Sequence, residues 1–153
     1  MVEGAIMSKT VKSKRRQTAD LQIKLRKTDR ELGQLNWELA QELVTLADQA
    51  NNPEPLIEAV EALRSAKRYY SFEDAPREHA LIQQSIADTL LILGRRTGDR
   101  EALMTARDAY RGAITLASLL SDEALRDALR INYRETQTLL GETLKSAAIF
   151  RVA

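Results

Sequence analysis

Apolar residues recur along most of this chain at the three- and four-residue intervals of amphipathic helices. The first such stripe begins at Leu21 and Leu25 and continues to Ala50. It predicts a helix that ends near residue 50 and begins either at residue 29 or, if it is continuous with the preceding stripe, at residue 18. Similar stripes predict four further helices, over about 53–71, 76–97, 99–120 and 122–149. The pattern indicates an all-α protein.

Residues that favour helix starts lie between these stripes. Thr28 and Glu31 have the spacing of a capping box, which would begin the first helix. Asn52 and Asp99 are good N-cap residues for the second and fourth helices, and Asp74 can cap the third. The breaks therefore agree with the boundaries that the apolar periodicity predicts.

The chain also contains an internal repeat with an offset of 47 residues. At this offset the two predicted caps, Asn52 and Asp99, coincide, and so do several small or leucine-containing positions. The matching sets are Leu46-Ala47, Leu93-Gly94 and Leu140-Gly141; Ala59 and Ala106; Ala66 and Ala113; and Leu63 and Tyr110. Caps, small residues and breaks that match together at one offset favour repeated helical hairpins.

The second copy carries a familiar spacing of residues: Leu93, Gly94, Ala106, Tyr110 and Ala113. This pattern resembles that of tetratricopeptide (TPR) repeats, and residues 29–145 resemble a longer bacterial variant of the repeat. The resemblance implies a TPR-like α-solenoid of two antiparallel helical hairpins and a closing fifth helix. These would form a single helical domain over residues 18–153.

The resemblance also implies a concave groove lined by the first helix of each hairpin. Such a groove would suit a partner peptide or helix that carries basic and apolar residues. The alternative is that its polar positions are simply solvated. Leu91 occupies a position where TPR proteins that bind acidic chaperone tails have lysine, which argues against that ligand. The implied groove residues are Gln41, Val44, Asp48, Asp88, Leu91, Arg95, Glu135, Thr138 and Glu142.

Candidate chemistry is scarce. The chain has no cysteine and one histidine, His79, which we interpret as a core or boundary residue. Asp122-Glu123 is more simply a helix start than an acid–base pair, and Gly94 and Gly98 fall at a hairpin turn rather than in a phosphate-binding loop. No nucleophile or metal-binding motif is present. We therefore predict no catalytic residues, no metal site and no cofactor.

Charge is distributed unevenly. Residues 1–30 carry nine basic and three acidic side chains, a net charge of +6, which leaves −5 for the rest of a chain whose total is +1. Residues 1–17 have no apolar period, so we expect a disordered basic arm, and Met7 is an alternative natural start to Met1. The arm could be a solvated tail, bind nucleic acid or another polyanion, or fold on an acidic partner. Its basic residues are Lys9, Lys12, Lys14, Arg15 and Arg16.

Three hypotheses of function follow, with a cytoplasmic location and no membrane segment expected. The first is a non-enzymatic adaptor or scaffold that binds another protein in the groove. The second is a nucleic-acid-associated or regulatory factor that uses the basic arm. The third is a self-assembling structural protein, with a homodimer formed through the apolar C-terminal end at Ile149 and Phe150. Four aromatic residues are expected in the core at hairpin junctions, or else at an interface: Trp37, Tyr69, Tyr70 and Phe72.

Overall fold

The computed structural model describes the backbone of residues 2–152 and the side chains of residues 8–141. The predicted all-α class is confirmed: the described chain forms five helices and contains no strand. The helices are α1 (Val2–Gln49), α2 (Glu54–Tyr69), α3 (Pro76–Thr97), α4 (Arg100–Leu119) and α5 (Glu123–Val152).

Helix α1 is much longer than predicted. Residues 1–17 were expected to be disordered, but the helix begins at Val2 and continues without a break to Gln49. The predicted capping box is also wrong, because Thr28 lies inside the helix and its hydroxyl donates to the carbonyl of Lys24 at 3.0 Å. The physical reason is local: the segment has no proline, and lysine, arginine, glutamine and alanine all favour helix.

The later helix boundaries lie within a few residues of the predicted ones. The carboxylate of Asp99 accepts from the backbone N–H of Glu101 at 2.9 Å and of Ala102 at 3.3 Å, which confirms it as the N-cap of α4. The N-cap of α2 is Pro53 rather than the predicted Asn52, whose side chain nevertheless accepts from Glu54 N–H at 3.0 Å. The predicted cap at Asp74 is wrong, because this carboxylate bonds to the hydroxyl of Ser71 and α3 starts without a side-chain cap.

The helices pack chiefly on their neighbours in sequence: α1 on α2, α3 on α4, and α5 on α4, with a smaller contact between α2 and α3. We call the two pairs α1–α2 and α3–α4 hairpins, because a short loop joins the helices of each pair. Glycines allow the close approach within each hairpin. A Cβ on Gly33 would stand 2.8 Å from both Tyr69 Cβ and Tyr70 Cε2, and a Cβ on Gly94 would stand 2.5 Å from Leu103 Cγ. Side chains therefore fill the space that these glycines leave free.

Several equivalent positions of the 47-residue repeat have the same burial or backbone conformation. The alanines of the pairs Ala59–Ala106 and Ala66–Ala113 are all fully buried. Asn51 and Gly98, also one repeat apart, both adopt a left-handed backbone, with φ of 48° and 70°. This conformation is easy for glycine and tolerated by asparagine. It occurs at the end of both α1 and α3.

The aromatic residues lie at the hairpin junctions, though not all are in the core. Trp37 of α1 is half-buried and meets Tyr70 edge-on, with ring centroids 6.0 Å apart. His79 lies at the boundary of the core, as predicted. It is hydrogen-bonded to the carbonyl of Tyr70 at 2.7 Å and faces the ring of Phe72 edge-on at 6.1 Å. Tyr69 and Phe72 remain exposed.

The two glycines of the Leu-Gly pairs give a direct test of close packing. We expect Gly94→Ala to lower the free energy of unfolding by about 1 kcal/mol. Overpacking against the buried Leu103 side chain costs roughly 1–3 kcal/mol, and the better helix propensity of alanine returns about 1 kcal/mol. Urea unfolding of the full chain measures the difference.

The matched control for this change is Gly141→Ala, one repeat later. A Cβ there would meet no described atom within 4 Å. This substitution should raise the free energy of unfolding by up to about 1 kcal/mol. Equal effects of the two substitutions would contradict the close approach of α3 and α4.

Candidate functional site

A cavity of about 240 Å³ lies between α1 and α3. Both helices pack on α2 but hardly on each other, so a groove remains between them with Leu63 of α2 at its floor. Helix α1 supplies Trp37, Ala40, Gln41 and Val44, and α3 supplies Ser85, Asp88, Thr89 and Ile92. The lining is mostly apolar, with one carboxylate.

Three of the predicted groove residues meet in this cavity: Gln41, Val44 and Asp88. The Oδ1 atom of Asp88 accepts hydrogen bonds from the Tyr110 hydroxyl at 2.5 Å and from the Asn132 amide at 3.1 Å. These donors belong to α4 and α5, so the carboxylate joins three helices behind the groove. A carboxylate held by two donors is fixed in orientation beside the cavity.

The Tyr110 ring is fully buried. Burial and the hydrogen bond to the Asp88 carboxylate raise the pKa of its hydroxyl well above its ordinary value. The hydroxyl therefore stays a proton donor to Asp88 throughout the physiological pH range.

Three of the other predicted charged groove residues, Asp48, Arg95 and Glu135, form ion pairs. Asp48 accepts from the Arg96 guanidinium at 2.7 Å, and Arg96 also donates to the carbonyl of Ala47 at 3.0 Å. Arg95 forms an ion pair with Glu135 of α5. These side chains are partly or largely exposed, so each pair is worth at most about 1 kcal/mol. Their main effect is to compensate charge along this face.

The prediction for Leu91 is wrong. Its side chain is only 4 % exposed and belongs to the core, because the rotation of α3 turns this position away from the groove. Thr138 is exposed, and its hydroxyl donates to the carbonyl of Arg134 at 3.1 Å. Glu142 lies outside the residues whose side chains the structure describes, as do Ile149 and Phe150 of the predicted C-terminal interface.

Sequence reasoning missed part of the cavity lining. Ser85 and Ile92 are exposed to it from α3, and Trp37 from α1. A usable signal was present: Ser85, Asp88 and Ile92 are spaced by three and four residues, so they share one face of a helix. For Trp37 the sequence pattern predicts only a place in the core or at an interface.

A larger cavity, of about 570 Å³, lies on the other side of the molecule between α2, α3 and α4. None of the predicted site residues lines it. Arg64, Lys67 and Arg68 stand on one side and Asp108 on the other. Burial lowers the pKa of Lys67, whose ammonium group donates to Gln83 at 2.5 Å. Hydrogen bonds from Arg111 and Arg107 lower the pKa of Asp108.

The predicted basic arm occupies the first turns of α1. All five of its lysines and arginines are exposed there. Among the residues that the structure describes, no group of three or more histidine, cysteine, aspartate or glutamate side chains could hold a metal ion. In the same part of the chain, no helix is long and apolar enough to cross a membrane.

Comparison with known proteins gives no relative. The chain matches no protein-family model, no curated protein and no solved structure.

The Tyr110–Asp88 hydrogen bond predicts a pH-dependent stability. In the unfolded chain a tyrosine ionises near pH 10, whereas folded Tyr110 keeps its proton. The stabilisation is therefore complete below about pH 10 and is lost as the pH rises above it. Tyr110→Phe should lower the free energy of unfolding by about 1–3 kcal/mol at pH 7 and flatten its decline above about pH 10. Chemical unfolding at several pH values measures both.

Tyr69→Phe is the control, because the Tyr69 side chain is exposed. It should leave both the stability and its alkaline decline close to those of the unaltered chain. A Tyr110→Phe variant with an unchanged alkaline decline would show that Tyr110 ionises as readily in the folded protein as in the unfolded chain.

Proposed function

We propose that this protein is a non-enzymatic, TPR-like adaptor or scaffold that binds a segment of another protein in the groove between α1 and α3. One observation carries the proposal: a preformed cavity with a mostly apolar lining, and with a fixed carboxylate, lies where two neighbouring hairpins diverge. Peptide-binding grooves combine apolar pockets with a few oriented polar groups.

The repeat supports the solenoid part of this proposal. Several pairs of residues 47 positions apart match: Ala59 and Ala106 are both fully buried, and Asn51 and Gly98 both have a positive φ at a helix end. Stacked hairpins that bury one face against the next form a solenoid, and the first helices of the hairpins then line one common surface. Here those helices are α1 and α3, followed by the single helix α5.

The chemistry of the groove defines the kind of segment it would take. An apolar side chain would enter between Trp37, Val44 and Ile92. Both donors to Asp88 bond to Oδ1, so Oδ2 is the oxygen that can accept from a basic or amide group of the segment. The expected ligand is a peptide or helix with an apolar anchor next to a hydrogen-bond donor. The larger cavity between α2, α3 and α4 is rimmed by charged side chains and fits this ligand less well.

Trp37 makes the proposal directly measurable, because it is the one tryptophan in the chain and it lines the cavity. Peptides selected by display on the full-length protein should share an apolar anchor, and their binding should shift the Trp37 fluorescence emission. Val44→Glu, which places a charge among the apolar lining, should weaken their binding about tenfold or more. Titration followed by Trp37 fluorescence gives both dissociation constants.

Leu119→Glu is the matched control, because Leu119 is an exposed leucine on α4 that does not line the cavity. It should leave the dissociation constants unchanged. Selected peptides that bind without affecting Trp37 emission, and equally well to the Val44→Glu variant, would contradict a ligand site in this groove.

The exposed basic side chains of α1 support a second candidate function, polyanion binding. Lys9, Lys12 and Arg16 are spaced by three and four residues and so share one helix face. Contacts between such residues and phosphates require only clustered positive charge. This function does not use the groove, so the two candidates can be tested separately.

Polyanion binding predicts a steep salt dependence. Replacing Lys9, Lys12 and Arg16 with glutamine should weaken binding to a duplex DNA probe and reduce the slope of log K against log salt by about 3, roughly one for each lost phosphate contact. Fluorescence anisotropy at several salt concentrations measures this slope. Val44→Glu serves as the control and should leave DNA binding unchanged. An unaltered slope in the triple variant would remove the arm as a polyanion site.

A further inference from the structure

Helix α1 carries an exposed leucine stripe with a seven-residue period. In a heptad register with Leu25, Leu32, Leu39 and Leu46 at the a positions, the d positions hold Leu21, Thr28, Leu35 and Glu42, so that six of these eight seam positions are leucine. All six side chains are exposed in the single chain. Apolar residues at this a/d spacing are the signature of a coiled-coil seam.

The stripe is separate from the face of α1 that builds the folded body. Gly33, Ala40 and Ala47 also recur every seven residues, and they are buried. At Gly33 the close neighbours are Tyr69 and Tyr70, at the end of α2. Helix α1 thus has two faces of the same period, of which the small-residue face is packed within the chain and the leucine face is not.

Residues 8–28 of α1 are not covered by the folded body. Every side chain from Ser8 to Thr28 is exposed, including Leu21, Ile23 and Leu25. An unsupported helix in water is marginal, because helices in proteins are stabilised mostly by packing of an apolar face. A helix of 48 residues would be roughly 70 Å long, and much of it lies beyond the reach of α2.

We propose that the leucine face of α1 binds the same face of a second copy of this chain, in a parallel, in-register, two-stranded coiled coil. The stripe is narrow: its flanking positions are polar, as Gln22, Lys24, Asp29, Glu31 and Asn36 show. An a/d-only stripe is the seam of a coiled coil rather than the broader face of a larger bundle. Lys14 falls at a seam position, so the seam begins after it.

Charge at the flanking positions selects the parallel orientation. In a parallel pair each g position faces the e position five residues later on the other helix. Lys24 then faces Asp29 of the second copy, twice by symmetry, and among the charged residues of the leucine region Glu42, at a d position, faces its own counterpart. An antiparallel pair with Leu25 opposite Leu35 would form two attractive pairs between Lys24 and Glu38, but it would place Glu31 opposite Glu31 and Asp29 opposite Asp29. The parallel register therefore has fewer like charges facing each other across the seam.

The basic residues are compatible with this arrangement. Lys9, Lys12 and Arg16 occupy positions f, b and f of the same heptad register, away from the seam. The residues of α1 that line the cavity, such as Trp37 and Val44, are likewise outside the a and d positions. Dimerisation would leave both surfaces accessible, so this inference does not depend on the proposed function.

The dimer predicts a solution mass of twice 17.2 kDa for the full chain. Leu25→Asp should raise the dimer dissociation constant by about 100-fold or more, because it places a charge in the seam. Ile23→Asp is the matched control, since Ile23 is 66 % exposed against 62 % for Leu25 but lies outside the seam. It should leave the constant nearly unchanged. Sedimentation equilibrium measures all three proteins.

Orientation can be tested by disulfide trapping, which is clean because the chain has no cysteine. Leu25→Cys should crosslink to itself under mild oxidation, since identical a positions face each other only in a parallel, in-register pair. Ile23→Cys should not crosslink at equal concentration. In the antiparallel register, Leu25→Cys would crosslink instead with a Leu35→Cys chain.

Each contrary outcome overturns a defined part of the proposal. A full chain that stays monomeric at about 100 µM would overturn the homodimer and leave a helix of another protein as the occupant of the seam. A dimer that survives Leu25→Asp would place the interface elsewhere, for example at the C-terminal end. Crosslinking only between Leu25→Cys and Leu35→Cys chains would overturn the parallel orientation.

Discussion

The structure depends on how closely its helices can approach, and that is set by residues with almost no side chain. Gly33 admits Tyr69 and Tyr70 against α1, and Gly94 admits Leu103 against α3. The fully buried alanines of the repeat extend the same contacts along each hairpin. Because a glycine or alanine at these positions lets a larger side chain of the facing helix fill the gap, the hairpins pack densely with few aromatic residues. The groove between α1 and α3 and the exposed face of α1 both lie where this close packing ends.

One such place is the space between α1 and α3. Both helices are fixed against α2, so they are held apart from each other, and the groove between them has walls that belong to two separately packed hairpins. The polar group beside it is equally well fixed: Asp88 is bonded to Tyr110 of α4 and Asn132 of α5. Because the walls of the groove are already ordered, binding a ligand there loses less conformational entropy than binding to a mobile surface.

The other place is the outer face of α1. The helix continues far beyond the hairpin it forms with α2, and its leucines at positions such as Leu25 and Leu32 stay exposed. The groove and this seam use different faces of one helix. A dimer formed through the seam would therefore present two grooves and two basic segments on one coiled coil. Two linked binding sites raise the avidity for a partner without any enlargement of the single site.

The sequence by itself determined the helices, most of their boundaries, the 47-residue repeat and the small residues within it, because periodicity, capping and close approach are properties of local sequence. It misplaced the start of α1, because residues 1–17 lack an apolar period but consist largely of residues that favour helix. It could not decide which side chains share the groove, because that depends on how each helix is rotated against its neighbours. The rotation of α3 buries Leu91 and places Arg96 in an ion pair with Asp48. It also brings Asp88 within hydrogen-bond distance of Tyr110 and Asn132. Only tertiary packing sets that rotation, since it is fixed by the sum of contacts with α2, α4 and α5.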